Sequence, residues 1–533
     1  MFTESGSFTG SDAILQNRQA RHTKGNLHSA DEQPLRIYAI DGNLSGLSLY
    51  SPKRSLISAG NDIADVSLYI QNLKATDISI VSAGRDINPY NQNSPSRAQA
   101  SSTGNAISFG QSALAGDIQI SGPGNLQVLA GRNIDLGIGG SNQNGTGAGI
   151  TSIGNLRNPY LTSTGADLLV SSGLGQVTSL AGSNINLDTF IEKFVTTAAG
   201  AAYLTELGIN EDFDLLSPEA QAQIATDVFH LLLRDAGRDF NDKESPFYGK
   251  WDSGWEVIRT LFPEDIDWDG KILTQGRDIR TKMGGDINIL IPGGGLEMAD
   301  TTLGNPLAPP GIITEAGGKV SLFSDKSVDI GIGRIFTLQG GDIVIWSSKG
   351  NIAAGSSSRT IQSAPPTRVV IDPQSASVQT DLAGLATGGG IGVLATVEGV
   401  KPGDVDLYAP TGVIDAGEAG IRVTGNINLG AVAVVNASNI SAGGSSTGAP
   451  VATVTAPSVS SISNASSTAA ASSTSAAKAN DEKQANSQSA PVADIPSIYT
   501  VEVIGYGGGS GEEEEEEEEN KDQAALQDEA SES

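Results

Sequence analysis

The stretch Gly285-Asp286-Ile287-Asn288-Ile289 decides the fold, because its pattern recurs along the whole chain. The pattern is glycine, often a polar residue, then Asp or Asn, then an apolar-x-apolar triplet. Further copies begin at Gly84, Gly116, Gly131, Gly182, Gly341, Gly403 and Gly425. Glycine accepts positive φ, Asp and Asn tolerate the left-handed region and can bond their own backbone, and the triplet puts two apolar side chains on one face. Each copy predicts a turn leading into a strand with one buried and one wet face.

The spacing of the copies indicates how they stack. Gly60 and Gly84, and likewise Gly403 and Gly425, lie roughly 22 to 24 residues apart, and Gly412 follows Gly403 after roughly nine. A short strand cannot bury its apolar face alone, but copies stacked over one another can. The period suits a coil of two or three short strands. We therefore predict a mainly β chain that forms a right-handed parallel β-helix.

Other repeat folds fit this period and pattern less well. Propeller blades need roughly 40 residues or more, and helical repeats need a 3.6-residue apolar period that these segments lack. The Leu-x-x-Leu-x-Leu frame of leucine-rich repeats is missing, as is the Gly-Gly-x-Gly-x-Asp run of calcium-binding β-rolls.

Composition agrees with a solenoid and excludes several kinds of site. The 533 residues include 66 glycines, and aromatic residues make up only 5 %. Cysteine is absent, which excludes disulfides, thiolate metal sites and a cysteine nucleophile. The formal net charge of −29 argues against nucleic acid or an anionic membrane as a partner, because both need clustered Lys and Arg.

The pattern divides the chain into seven segments. They are a polar lead-in (1–34), a first β-helical part (35–188), a helical and aromatic insertion (189–275), a second β-helical part (276–447), a Ser/Ala-rich linker (448–490), a short strand segment (491–511) and an acidic tail (512–533). The linker and the tail have the composition of disordered segments, and the eight glutamates from Glu512 to Glu519 dominate the tail. Ile498 to Tyr506 alternates as one strand would.

The insertion differs in kind from the repeats, since residues 190–275 hold 12 of the 26 aromatic residues and three of the four tryptophans. Ser217-Pro218-Glu219 offers an N-cap, a proline at the first helical position and an acid in the first turn. Apolar residues then fall on one face up to about residue 235, so we predict a helix from about 218 to 235. Phe190 to Leu207 is a second candidate helix.

One acidic turn copies the start of an EF-hand calcium loop. Asp265, Asp267 and Asp269 precede Gly270, as in positions one to six of such a loop. The twelfth position holds Gly276 and not the bidentate glutamate that completes calcium coordination. We therefore assign no metal ligand and expect an acidic surface turn.

An enzyme on this scaffold would be a β-helical polysaccharide lyase or hydrolase, which groups Asp residues with Arg, Lys or His on one face. The three histidines, His22, His28 and His230, lie outside the repeats, and His230 falls within a helical apolar run typical of a packed structural residue. Repeat aspartates such as Asp86, Asp117, Asp286 and Asp342 recur in coil after coil, which indicates a turn role. We assign no catalytic residue and no cofactor.

The repeats resemble the carboxyl-terminal domain of filamentous-haemagglutinin-like exoproteins of Gram-negative bacteria. The resemblance is most specific over Gly284 to Gly295 and extends to Ser58-Ala59-Gly60-Asn61-Asp62-Ile63 and to residues 81–87, within about residues 35 to 510. It implies long β-helical adhesins that pass through an outer-membrane pore of the two-partner secretion type and are displayed on the cell surface or secreted. It assigns no functional residue.

The amino terminus departs from that family. Met1 to Gly6 has no basic region followed by an apolar region, and the chain has no run of 18 apolar residues that would insert into a membrane. Either the chain is cytosolic, or it is the carboxyl-terminal fragment of a longer exported polypeptide, through truncation or a split reading frame.

These observations favour a structural and adhesive surface protein whose β-helical rod presents the aromatic insertion. Its partner would be a host-cell, glycan or surface receptor, and the binding residues are not identifiable from the sequence. The polysaccharide lyase or hydrolase is the alternative.

Overall fold

The computed structural model describes residues 25, 27–91, 116–137, 149–156, 158, 160–299, 309–356, 369–371, 378–380, 388–394 and 399–448. Most of the predicted lead-in lies outside these residues. The strand predicted from Ile498 to Tyr506, the acidic tail and all of the predicted linker except its first residue also lie outside them.

Three strands form each coil, and equivalent strands of successive coils pair in parallel to form three columns. The first column contains β1 (Leu35–Ala39), β4 (Ser55–Ala59), β7 (Ile78–Ala83), β10 (Asn125–Ala130), β13 (Asp167–Ser171), β16 (Ile287–Ile291), β19 (Val320–Ser324), β22 (Ile343–Ser347), β27 (Val405–Asp415), β29 (Ile427–Val435) and β31 (Ser446–Thr447). The second contains β2 (Leu44–Ser45), β5 (Ile63–Ala64), β8 (Ile87–Asn88), β11 (Ile134–Asp135), β14 (Ile272–Leu273), β17 (Leu296–Glu297), β20 (Val328–Asp329), β23 (Ile352–Ala353) and the later parts of β27 and β29.

The third column is a ten-stranded sheet, so the structure describes ten coils. Its strands are β3 (Ser48–Ser51), β6 (Ser67–Gln71), β9 (Ile118–Ser121), β12 (Gly149–Ser152), β15 (Asp278–Thr281), β18 (Gly311–Thr314), β21 (Arg334–Thr337), β26 (Gly390–Val393), β28 (Ile421–Val423) and β30 (Ile440–Ala442). A separate antiparallel pair, β24 (Val369–Ile371) and β25 (Val378–Thr380), lies between β23 and β26. The predicted parallel β solenoid is confirmed, with three strands in each coil.

The core lies inside the coils and consists of stacked aliphatic side chains. One position of the first column is aliphatic in all ten coils. Its members are Ile37, Ile57, Val81, Val128, Val170, Ile289, Leu322, Ile345, Leu407 and Leu429. From Ile57 onward these side chains are essentially fully buried. A shift of register by one residue would move them to the outside, so the apolar triplets fix the register.

Glycine begins the repeat because neighbouring coils approach too closely for a side chain at that position. A Cβ atom at Gly131 would lie 2.1 Å from the carbonyl oxygen of Gly84, and one at Gly403 would lie 2.4 Å from that of Gly341. Neither Gly131 nor Gly403 has a positive φ. The expected role of glycine in accepting positive φ therefore holds only in some copies, such as Gly285 and Gly341.

The Asp and Asn residues of the repeat bond the next coil and not their own turn. The side chain of Asp86 accepts a hydrogen bond from the Asn133 amide, and that of Asp342 accepts one from the Asp404 amide at 2.9 Å. The same bond joins Asp117 to Gly149, Asp286 to Lys319, Asp404 to Asn426 and Asn351 to Val413. None of these Asp or Asn residues has a positive φ. The predicted left-handed, self-bonded conformation is wrong, because each side chain accepts its hydrogen bond from an amide of the neighbouring coil.

The chain leaves the fifth coil after β13 and returns to it at β14. Between them lie α1 (Leu187–Phe190), a π-helical turn (Ile191–Val195), α2 (Gly200–Glu206), a 3₁₀ turn (Phe213–Leu215), α3 (Pro218–Asn241) and α4 (Asp252–Leu261); a further 3₁₀ turn spans Ala437–Asn439. The predicted helix at 218–235 is confirmed and continues to Asn241. Ser217 caps α3 by accepting a hydrogen bond from the Ala220 amide.

The repeat copy at Gly182 forms no strand. Ile185 and Leu187 from this copy pack among the helices, in the hydrophobic cluster that also contains Phe190. This part of the prediction is wrong because a short Gly-x-Asn-Ile phrase also suits the entry to a helix, and only pairing with a neighbouring coil would make it a strand.

Removing one bond between coils tests the role of the repeat Asn and Asp residues. Asn351→Ala leaves the Val413 amide without its side-chain acceptor, so we expect a local loss of about 0.5–1.5 kcal/mol and faster hydrogen exchange at that amide. Asn351→Asp keeps an acceptor oxygen and is the matched control. Equal exchange in Asn351→Ala and the wild type would contradict the assigned role.

Candidate functional site

The helices form a helical cap, residues 172–271, on the outward face of the first strand column. Outward side chains such as Leu169, Leu290, Phe323 and Tyr408 are buried in one cluster with side chains of the cap. The prediction of a wet outer face is therefore wrong for these coils. The signal was the unbroken apolar run Ile343-Val344-Ile345-Trp346, since a strand buried on both faces does not alternate.

An aromatic column on the sheet fits into glycine slots of the cap. The strand register places Phe323, Trp346 and Tyr408 directly one above another. A Cβ atom at Gly237 in α3 would lie 2.1 Å from the ring of Tyr408, and one at Gly254 in α4 would lie 2.4 Å from that of Trp346. These two glycines, which sequence reasoning did not identify, let the helices approach the sheet closely. Four phenylalanines of the insertion are buried in the same cluster, namely Phe190, Phe213, Phe229 and Phe262.

The long helix α3 runs along the stack and is tied to several coils. Its 24 residues span about 36 Å, which matches roughly eight coil spacings of 4.8 Å. Asn288 of the sixth coil donates a hydrogen bond to Asp227 at 2.7 Å. Arg238 makes a two-pronged ion pair with buried Asp406 of the ninth coil, at 3.0 and 2.7 Å. α3 therefore links the sixth coil to the ninth and stabilises the stack between them.

Three carboxyl groups meet where α3 crosses the middle coils. The side chain of Asp167 accepts a hydrogen bond from the Asp286 amide at 2.8 Å, and Asp227 faces them from α3. Burial, with the charge of Asp286 adding to it, raises the pKa of Asp167 to about 7. Burial also raises the pKa of Asp286, and it raises the pKa of Asp227 well above its usual value. The charged groups around a cavity here of about 20 Å³ also include Arg234, Lys319 and Asp342.

His230 lies beside this acidic cluster in α3 and is packed, as its sequence context predicted. It is 2 % exposed, and its Nδ1 atom lies 3.1 Å from the carbonyl oxygen of Thr226. Burial lowers the pKa of His230 to about 4, so the ring is neutral at pH 7. His28 is exposed, and His22 lies outside the described residues.

Two open grooves lie along the margins of the cap. The first has a volume of about 640 Å³ and runs over β1, β4 and β7, where Arg36, Tyr38 and Arg54 line it. The second, the Trp groove, has a volume of about 620 Å³ and contains Trp255 and Trp268. It separates α4 and the turn after it from the turns of four later coils. Both grooves are large enough to hold a small ligand.

The EF-hand-like aspartates lie in the turn between α4 and β14. Asp265, Asp267 and Asp269 are all exposed, which matches the expected acidic surface turn. Within the described ranges, no group of three or more His, Asp or Glu side chains has a geometry that could hold a metal ion. No helix among the described residues is long and apolar enough to cross a membrane.

Comparison with known proteins identifies one family. Residues 340–451 match the model of a domain described as a filamentous haemagglutinin family outer membrane protein. The match covers β22 to β31, which include the last three coils and the outward side chains of Trp346 and Tyr408, and it confirms the resemblance read from the repeats. No curated protein and no solved structure matches the chain.

Filling a glycine slot tests how the cap is held. Gly237→Ala would raise intrinsic helix propensity by about 1 kcal/mol, but its methyl group overlaps the ring of Tyr408. We expect a net loss of about 1–3 kcal/mol in cap docking, seen as a red shift of tryptophan fluorescence, because all four tryptophans lie in the cap cluster. Gly42→Ala, where nothing lies within 4 Å, is the control. A more stable Gly237→Ala variant would refute the tight fit.

The acidic cluster makes cap stability depend on pH. The pKa of Asp167 is raised in the folded state, so its contribution is fully present below about pH 3.9 and is lost as the pH rises through about 7. The lowered pKa of His230 acts oppositely, since its contribution is lost as the pH falls through about 4.

Asp167→Asn removes the titrating carboxyl group, while Asn keeps an acceptor for the Asp286 amide and His230 is common to both proteins. We expect the stability of the wild type minus that of the variant to fall steadily between about pH 4 and pH 7. Urea unfolding followed by tryptophan fluorescence at each pH measures it. A difference that does not change with pH would show that Asp167 does not titrate in this range.

Proposed function

We propose that the chain is part of a secreted or surface-displayed adhesin of the filamentous-haemagglutinin type. In this role its β-helical coils form a structural rod that mediates attachment to cells or surfaces. The family match at residues 340–451 carries this proposal, since the description of that family names the outer membrane. The host-cell, glycan or surface receptor and an outer-membrane secretion pore of the two-partner type would be its partners.

The architecture supports a load-bearing role. Ten coils at about 4.8 Å per coil separate β1 from β29 in the first column by roughly 43 Å. Adjacent coils are joined by strand pairing and by the Asp and Asn bonds, and α3 links coils that are not neighbours. Such a rod resists bending where the cap covers it and can hold a binding surface away from the cell.

A non-enzymatic role fits the repeat aspartates better than the lyase or hydrolase alternative does. Asp86, Asp117 and Asp342 each bond a backbone amide of the next coil. Their oxygens are thus engaged in the stack, whereas a catalytic pair of carboxylates must be free to face a sugar. No observation favours the alternative.

Locating the chain in its source cells, and then removing it, tests the proposal. We expect antibodies against the repeats to label the surface of intact cells or the culture medium, and deletion of the coding sequence to reduce attachment to host cells. Re-expression should restore attachment. A chain confined to the cytosol, together with unchanged attachment after its deletion, would refute an adhesin.

A further inference from the structure

The Trp groove lies where the end of α4 and the turn after it face four successive coils. The coil side contributes Pro292, Asp325, Lys349 and Thr411, which belong to turns stacked along the rod. The groove is therefore an elongated surface of about 620 Å³ with one helical wall and one wall of regularly spaced turns. An extended ligand with its own repeat fits such a shape.

Two tryptophans form the aromatic part of the groove and are held in position from behind. Trp268 donates from Nε1 to the carbonyl oxygen of Pro263 at 3.0 Å and lies edge to face with Phe262. Phe262 in turn stacks on Phe323 of the sheet, with ring centroids 5.3 Å apart. Trp255 is set perpendicular to buried Trp346. Both groove tryptophans remain partly exposed, so their rings are fixed surfaces that a ligand can contact.

The charges of the groove balance within a chain of net charge −29. Three cationic residues, Arg259, Lys326 and Lys349, and three acidic residues, Glu264, Asp267 and Asp325, line it. Arg259 pairs with Glu264 at 2.9 Å and Lys349 with Asp325 at 3.1 Å. A polyanion or a polycation would meet as many like charges as opposite ones. A neutral ligand rich in hydroxyl groups would instead find both donors and acceptors along the rim.

We propose that the Trp groove binds a neutral oligosaccharide. The C–H groups on one face of a sugar ring are apolar and slightly positive, so they stack on the negative faces of Trp255 and Trp268. Hydroxyl groups at the ring edge bond the carboxylates of these two ion pairs and their guanidinium and ammonium groups. This inference rests on the proposed adhesin function and names the chemical class of its ligand.

Calorimetric titration of the full chain tests this site. The probes are neutral maltohexaose, cellohexaose and chitohexaose, with polygalacturonate as the anionic comparison. We expect at least one neutral probe to bind, and Trp255→Ala combined with Trp268→Ala to weaken it by about tenfold or more. The corresponding pair of phenylalanine substitutions should restore most of the affinity. Tyr248→Ala, which removes a half-exposed ring outside the groove, is the matched control.

A second variant keeps the test valid if the tryptophan double mutant misfolds. Thr411→Arg adds bulk at an exposed position of the groove and leaves both rings in place, so it should also weaken binding. Binding of no neutral probe, tighter binding of polygalacturonate, or unchanged affinity in Thr411→Arg and the double mutant would overturn the proposal.

Two further comparisons identify the source of the sugar and separate the groove proposal from the adhesin proposal. Attachment to cells stripped by glycosidases, compared with competition by soluble polysaccharide, distinguishes a cell-surface glycan from a free polymer. If the wild type attaches to cells and the double mutant attaches equally well, the groove proposal fails and the adhesin stands. If the chain binds sugars but is confined to the cytosol, the adhesin fails and the groove stands.

Discussion

The close spacing of successive coils is the constraint on which the whole structure depends. At about 4.8 Å, each residue lies directly over its counterpart in the next coil, so its side chain must suit both neighbours. Aliphatic side chains satisfy this inside the stack, and glycine satisfies it where backbones nearly touch, as at Gly131. Asp and Asn satisfy it at the turns by bonding the amide of the next coil. Each position of the repeated sequence pattern is thus explained by a contact between neighbouring coils.

The same stacking explains how the helical cap is held. Because strands align in register, large outward side chains in successive coils form the continuous column of Phe323, Trp346 and Tyr408. A column of rings along the axis needs a cover that also runs along the axis, and α3 provides it. Gly237 and Gly254 set the distance between the two. The insertion is consequently part of the rod, and the two open grooves lie along its margins.

Sequence reasoning predicted the features that depend on local pattern. The apolar triplets predicted the strand columns, and the capping signal at Ser217 predicted α3. Features that depend on distant parts of the chain were missed. Whether Trp346 faces water or a helix depends on a segment about 100 residues earlier, and nothing near Gly237 shows that Tyr408 will lie against it. The partner of Asp86 was mistaken for the same reason, because the amide that it bonds belongs to Asn133 in another coil. The Gly182 phrase shows that a short motif predicts a strand only where a neighbouring coil can pair with it.

The connectivity of the cap joins the middle of the chain to coils that come much later in the sequence. The cap leaves the stack in the fifth coil, but α3 reaches Asp406 and Asn428, which follow it by 168 and 187 residues. If the coils form from the amino end, the surface that binds the first part of α3 exists before the surface that binds its end. Arg238 and Asn241 then lack their partners Asp406 and Asn428. Only the ninth and tenth coils complete the surface on which α3 packs. Docking of the whole of α3 therefore depends on the last coils, so a chain without them would leave the end of α3 uncovered at its surface.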